Sequence, residues 1–314
     1  MRVYNSSRQA IDISDTPLAK AGGEGAAYKI PSRPKYCAKI YHPDKRDKNR
    51  QKKLEFMVTH APSPLITSNY IICWPTEVLY DAKGNFMGFI MPLAFDGSDS
   101  AYDLCVGNKN LNSKWQIYYD RKSPQGILNR LKLLVNITVA INAIHQMGKY
   151  VLVDFKPQNM LATPQGGISI IDLDSVQIND GRQQYLCPVM TPDYFPPELQ
   201  NDKKIGKHLI DKSCDLFALA VVYYQILYGI HPFQCSAEGA STLQEKISSG
   251  LFVFGSNANK ISVIPPPHNK FKLLPSEIQN LFKNAFSMNP TLRPDTQTWG
   301  KTMYDFIIKV SPKK

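Results

Sequence analysis

The sequence predicts an α+β fold in two lobes, a small β-rich one followed by a larger helical one. Three observations carry this. Through roughly the first third, apolar and polar residues alternate in short runs broken by turn chemistry, which is the period of strands. From about Ser113 onward, apolar residues recur at helical spacing. The patterns are segregated, strands first and helices afterwards. The lobes divide as 1–94 and 95–314 and would meet near MPLAF (91–95).

In the first lobe, strands are expected around 26–30, 36–41, 71–79 and 87–91, with turns at PSRP (31–34) and DAKGN (81–85). A single helix, roughly 47–58, interrupts them. In the second lobe Ile127, Leu131, Leu134, Ile137, Ile141 and Ile144 form the stripe of a long amphipathic helix that ends near Gly148. A β-ribbon is expected next, at 150–153, 160–162 and 168–171, and then a loop without periodicity over 175–194. The remainder reads as helical, broken by PPPH (265–268). No internal repeat or low-complexity tract is visible. Residues 311–314 are either a natural end or a cut before another domain.

A chain of 314 residues holds one large domain or two modest ones. At 43% hydrophobic and 20% charged, its composition is globular rather than disordered. The net charge of +11 has two readings: Lys and Arg scattered for solubility, or a basic surface that attracts nucleic acid, an anionic membrane or a phosphorylated partner. Nucleic-acid binding would rest on that charge alone. The densest basic run, 45–53, abuts an apolar helical start and reads as a solvated helix face. Cys37, Cys73, Cys105, Cys187, Cys214 and Cys235 lie far apart with no CxxC, which argues against a zinc site and a disulfide scaffold. The N-terminus, MRVYNSSRQAIDIS, lacks the apolar stretch of a signal peptide. The longest apolar run, 216–230, is short of the roughly 20 residues that span a bilayer and reads as a buried core helix. A soluble, cytoplasmic protein with no membrane partner is expected.

Chemistry concentrates in three places. The run KAGGEGAAY (20–28) supplies Gly22, Gly23 and Gly25 with small residues, Ala27 among them, between strands. Such a turn lets backbone N–H groups approach phosphate oxygens, although a glycine cluster equally marks a plain hairpin. Lys39, among apolar residues on the next strand, is either a phosphate-facing cation or an edge lysine in solvent. Glu55, the one acidic residue between Asn49 and Thr59, would be its ion-pair partner. The third place is the most specific: Asp154, Lys156 and Asn159 in VLVDFKPQNML (151–161), then Asp172 in IIDLD (170–174), 13 residues after Asn159. A carboxylate to orient a hydroxyl, a lysine, an amide and a second carboxylate suit phosphoryl transfer, which needs positioning and charge neutralisation more than covalent chemistry.

These residues resemble the protein kinase superfamily over nearly the whole chain, and more specifically the bacterial Ser/Thr kinases. DxKPxN followed by DxD is joined downstream by TPDYFPPE (191–198), DLFALA (215–220) and NPTLRP (289–294), in the family's order and spacing. The resemblance implies a bilobal kinase-like fold that uses ATP with Mg²⁺ or Mn²⁺ and acts on a protein substrate. It assigns Lys39, paired with Glu55, to the α/β-phosphates; Asp154 to the acceptor hydroxyl; Lys156 to the γ-phosphoryl; and Asn159 and Asp172 to the metal. Met91 would be the gatekeeper, and the Ala94 N–H would meet the adenine ring, since Pro92 keeps only its carbonyl. Glu198 and Arg293 would form a buried ion pair, and Asp215 would brace the catalytic loop. Lys156 and Thr191 favour a Ser/Thr acceptor.

The departures are equally specific. Lys20 stands for the first glycine of the loop, Leu152-Val153-Asp154 for H-R-D, and Asp172-Leu173-Asp174 for D-F-G. They leave a second reading open, a pseudokinase that binds nucleotide or scaffolds without transfer. The Asp-Leu-Asp triplet and the run GGEGAAYKI are similar to the kinases of tellurite-resistance-associated clusters, which implies a phosphatase and a von Willebrand-type protein as partners.

Overall fold

The computed structural model describes residues 1–106, 113–188 and 190–311; residues 312–314, within the terminal stretch left open above, lie outside them. The chain divides into two compact units, Met1–Phe95 with Ser169–Asp174, and Asp96–Ile168 with Ser175–Lys314. Residues 169–174, which the linear reading assigns to the second lobe, thus group with the first.

The first unit is built on a six-stranded antiparallel sheet. Its strands are β1 (Arg2–Tyr4), β2 (Ala10–Asp12), β3 (Gly25–Lys29), β4 (Tyr36–Tyr41), β6 (Glu77–Tyr80) and β7 (Phe86–Pro92), with the short β5 (Tyr70–Ile72) outside it. The spatial order is β2-β1-β6-β7-β4-β3. The β1–β2 hairpin, which the sequence reading does not single out, alternates as expected of a half-buried pair: Val3, Ile11 and Ile13 join Ile30, Ala38, Ile40, Leu79 and Ile90 in one apolar cluster. The run expected at 71–79 breaks into β5 and β6 around Trp74-Pro75, because proline cannot donate to a ladder. Gly25 and Gly88 are required by close backbone approach. A Cβ on Gly25 would lie 2.2 Å from the Ile40 carbonyl oxygen, and one on Gly88 would meet that of Lys39. Helix α1 (Lys48–Thr59) starts where the Asp47 carboxylate accepts the Arg50 N–H (2.8 Å), a side-chain N-cap.

The second unit is helical around one buried rod. Its elements are β8 (Asp99–Ser100), α2 (Tyr102–Cys105), α3 (Ser113–Tyr118), α4 (Pro124–His145), β9 (Tyr150–Val151) and β10 (Met160–Ala162); the next strand, β11 (Ile168–Ile170), begins in this unit and runs into residues 169–174 of the first. There follow β12 (Gln177–Asn179), β13 (Gln184–Tyr185), α5 (Ser213–Tyr228), β14 (Ser236–Ala237), α6 (Leu243–Ser248), β15 (Ile261–Val263), α7 (Ser276–Ala285) and α8 (Thr296–Val310). The stretch expected to be a bare loop over 175–194 contains β12 and β13, which pair with each other, β12 also pairing with β9. Helix α5 is buried almost all round, as the apolar run at 216–230 predicts. Arg130 and Arg121 finish it: Arg130 donates to the Ile226 carbonyl and Arg121 to that of Gln225, so two cations meet the negative end of the helix dipole. Helix α4 is long and apolar enough to cross a membrane by length and composition alone. Here its stripe Leu131, Leu134, Ile137, Ile141 and Ile144 is buried among α5 and α8.

Candidate active site

In the first unit, the glycine run separates by cause. Gly25 is demanded by strand packing, and a β-carbon on Gly22 or Gly23 would meet nothing closer than 3.7 Å. Those two exposed glycines therefore answer no packing need of the chain itself, and their openness fits an approaching phosphate. Ala27, half-buried on β3, faces Lys39 in the strand register. Glu24 anchors the run to α1 through Arg50 (2.8 Å), whose guanidinium lies 4.5 Å from the Tyr41 ring centroid.

Lys39 is not an edge lysine: its side chain is 11% exposed and its ammonium touches two carboxylates. Asp172 Oδ1 lies at 2.9 Å, and Asp174 receives it on both oxygens, at 2.7 and 2.9 Å. Burial alone disfavours the ammonium, but the two acids outweigh it and hold Lys39 above the ordinary lysine range. The Tyr41 hydroxyl also donates to Asp174 (2.5 Å). Burial opposes the charge on Asp174 as well. Lys39, Tyr41 and Lys53 outweigh that penalty, so its carboxyl titrates below the usual carboxylate value.

The expected Lys39–Glu55 pair is not formed. Glu55 is exposed and accepts from Gln51 (2.8 Å) and Tyr80 (3.1 Å). The reason is helical phase. Leu54, Phe56 and Met57 are buried, and Lys53 lies within their arc; Glu55 is two residues further, about 200° round the helix. Lys53 takes the inward position and donates to the Asp174 backbone carbonyl (2.7 Å). Asp172 itself has φ +61°, in the left-handed region, where a non-glycine residue is held only by its surroundings. Its carboxylate remains 59% exposed. Met91 pairs with Cys37 across β4–β7. Ala94 is half-buried, and its N–H has no acceptor among the described residues, which fits a donor for a ring nitrogen.

In the second unit the catalytic-loop residues form a closed triangle. Asp154, 7% exposed, accepts from the Thr191 hydroxyl on Oδ1 (2.7 Å) and from Lys156 on Oδ2 (2.6 Å), while Lys156 also donates to Thr191 (3.0 Å). Asn159 donates to the Asp154 carbonyl (3.0 Å), so its side-chain oxygen is the atom left for a hard cation. The loop is braced from below. Asp215 accepts the N–H groups of Leu152 (2.8 Å) and Val153 (2.9 Å), and His145 donates to it (2.9 Å). His145 is a positioning residue that the sequence reading missed; its signal was a histidine in the last turn of the long helix. Val153, at φ +61° and 1% exposed, packs with Cys187, Phe195, Ile210 and Cys214. The position expected to carry a basic residue is thus the centre of an apolar cluster. Downstream, Arg293 meets Glu198 through two bonds (2.6 and 2.8 Å), with Arg293 enclosed and the Glu198 side chain 35% exposed, a half-buried pair rather than the fully buried one expected.

No cluster of three or more His, Cys, Asp or Glu that could hold a metal occurs among the described residues. Asn159 in the second unit and Asp172 in the first each carry a side-chain oxygen, the atom type that a hard cation such as Mg²⁺ takes as ligand.

The protein kinase domain model matches residues 106–304, and the chain belongs to that family. It is 27% identical over 288 residues to the protein kinase YegI of Escherichia coli K12, across 88% of this chain and 42% of that protein. It is 37% identical over 112 residues to the citron rho-interacting kinase of Rattus norvegicus, across 34% of this chain and 5% of that protein. The chain therefore spans less than half the length of the curated relatives it matches. A solved structure described as the ROP18 kinase domain in complex with AMP-PNP and sucrose aligns with a TM-score of 0.62 at 15% identity, over 98% of this chain and 84% of that one. That likeness concerns the fold.

Proposed function

We propose that the chain is an active protein serine/threonine kinase that transfers the γ-phosphoryl group of ATP to a protein hydroxyl. The observation that carries this reading is the Asp154–Lys156–Thr191 triangle, in which a buried carboxylate, an ammonium and a hydroxyl are held within 3.0 Å of one another. Asp154 orients the acceptor hydroxyl and takes its proton as the new O–P bond forms and the bond to ADP breaks. Lys156 neutralises charge on the transferring group. Lys39 and the open glycines hold the phosphates, and Asn159 and Asp172 hold the Mg²⁺ that supplies further charge neutralisation when bound. Thr191 beside Asp154 supports a Ser or Thr acceptor.

A nucleotide-binding pseudokinase is the second reading, favoured by Lys20 in the glycine run and by the carboxylate of Asp174 on Lys39. Incubation with γ-labelled ATP, Mg²⁺ and a generic basic protein, beside Asp172→Ala, separates the two. Label transfer by wild type that is lost in the variant supports the kinase. Nucleotide binding with no transfer supports the pseudokinase.

A further inference from the structure

Asp174 makes three contacts to donors through its carboxylate. Its side chain is 3% exposed, Oδ1 takes the Lys39 ammonium, and Oδ2 takes Lys39 and the Tyr41 hydroxyl. Both oxygens are already engaged by donors inside one unit. Asp172 differs: it contacts the same lysine through Oδ1 but is 59% exposed, so solvent screens that contact. A buried ammonium with an excluded, fully engaged partner is fixed in place, and a screened second partner can turn to a cation without releasing it.

Resting on the kinase reading, we propose that Asp174 is the residue that positions Lys39 for the nucleotide, in the place expected of the helix carboxylate Glu55. Helix α1 then touches the phosphate-facing lysine through a donor, not an acceptor: Lys53 holds the backbone of Asp174 at its carbonyl (2.7 Å), and Asp174 holds Lys39. The acid that holds Lys39 thus comes from the Asp-Leu-Asp triplet, and the inward position on the helix is a base. A rotation of α1 would reach Lys39 through Asp174, by Lys53 at its main chain and by Arg50 through Tyr41 at its carboxylate.

The test compares wild type, Asp174→Asn, Lys53→Met and Glu55→Gln. Two measurements are made: affinity for a non-hydrolysable ATP analogue with Mg²⁺, and kcat and KM for ATP. Asp174→Asn raises KM and weakens the analogue about tenfold or more with a smaller change in kcat, the pattern of lost ground-state positioning. Lys53→Met shows a smaller shift in the same direction, and Glu55→Gln stays within about twofold of wild type. Adding Lys53→Glu to Asp174→Asn returns a carboxylate from the helix side and recovers part of the affinity. A loss in Glu55→Gln with none in Asp174→Asn overturns the proposal. If Asp174→Asn does not fold, the order of Lys53→Met and Glu55→Gln decides in the same way. If wild type binds no nucleotide, the kinase reading fails separately. The pair is then read from acetic anhydride modification of Lys39, faster in Asp174→Asn and unchanged in Glu55→Gln if Asp174 is the partner, and the reverse if it is not.

Discussion

At the scale of single residues, the site works by holding charges where the chemistry needs them. Asp154 is buried enough to be sensitive to its neighbours, and each of its oxygens already receives a donor. Thr191 does two things there: it donates to Asp154 and accepts from Lys156. Thr191→Val keeps the shape and removes both bonds. We expect phosphoryl transfer to fall by about 10²-fold, the lower end of what a positioned acid–base group contributes, with Mg-ATP affinity unchanged. Steady-state kinetics beside analogue binding checks this, and equal losses in both would place Thr191 with the nucleotide instead. Glu198 is the structural counterpart. Its removal leaves the Arg293 guanidinium enclosed without its carboxylate, so Glu198→Ala should cost about 3 kcal/mol of stability in urea. A cost below about 0.5 kcal/mol would mean that the exposure of Glu198 already screens the pair.

At the scale of elements, described residues of the segment after Asp174 are held by apolar packing and hydrogen bonds. Val153 sits in an apolar cluster with Cys187, Phe195, Ile210 and Cys214, partly buried Met190, Leu199 and Ile205 pack against it, and Gln177 exchanges two hydrogen bonds of 2.7 Å with the backbone of Ile210. The hydroxyls of this segment therefore have no ordering task that phosphorylation would perform through residue 153. Ser175→Ala and Tyr185→Phe should each retain activity within about twofold. A large loss in either would reveal a cationic pocket elsewhere. The same scale explains what the sequence could and could not disclose. Asp154, Lys156 and Asn159 were legible because they lie within six positions, and a loop that short leaves little freedom; Thr191, the third corner of the triangle, lies 37 positions from Asp154 and entered through the downstream TPDYFPPE run. The apolar strand around Lys39 left it either a phosphate-facing cation or an edge lysine, and its role followed only from the resemblance carried by the catalytic-loop residues. Its partner was not read correctly, because Glu55 was chosen as the available acid rather than by helical phase. Leu54, Phe56 and Met57 in fact put Glu55 on the outer face and Lys53 on the inner one. Asp174 was noted as a departure from glycine, but nothing local in the sequence pairs it with a residue 135 positions away. The β1–β2 hairpin was missed because three-residue strands give too short an alternation to register.

At the scale of the whole molecule, folding stability is tied to acid through buried histidines. His231 donates from Nε2 to the Asp193 carbonyl (2.9 Å) and accepts the Phe233 N–H on Nδ1 (3.3 Å), an arrangement only the neutral ring can make. Burial pulls its pKa down to about 4, and burial lowers that of His268 as well. Because the folded state refuses a proton that the unfolded chain accepts below about pH 6.5, stability is complete above that pH. It is lost as pH falls toward 4, by about 1.4 kcal/mol per pH unit for His231 alone. Urea midpoints between pH 7 and pH 4.5 check this, with the slope reduced in His231→Gln; a flat profile would contradict it.

The central claim, that the molecule is an enzyme and not a nucleotide-binding relic, is tested most directly at Asp154. Asp154→Asn keeps the volume and one of the two acceptor oxygens and removes the charge that takes the proton. Mg-ATP affinity and phosphoryl transfer to a protein should be measured on the same preparations of wild type and variant. The account predicts affinity within about twofold of wild type and transfer lower by about 10²–10⁴-fold. Wild type that binds ATP and transfers nothing, indistinguishable from Asp154→Asn, would contradict it.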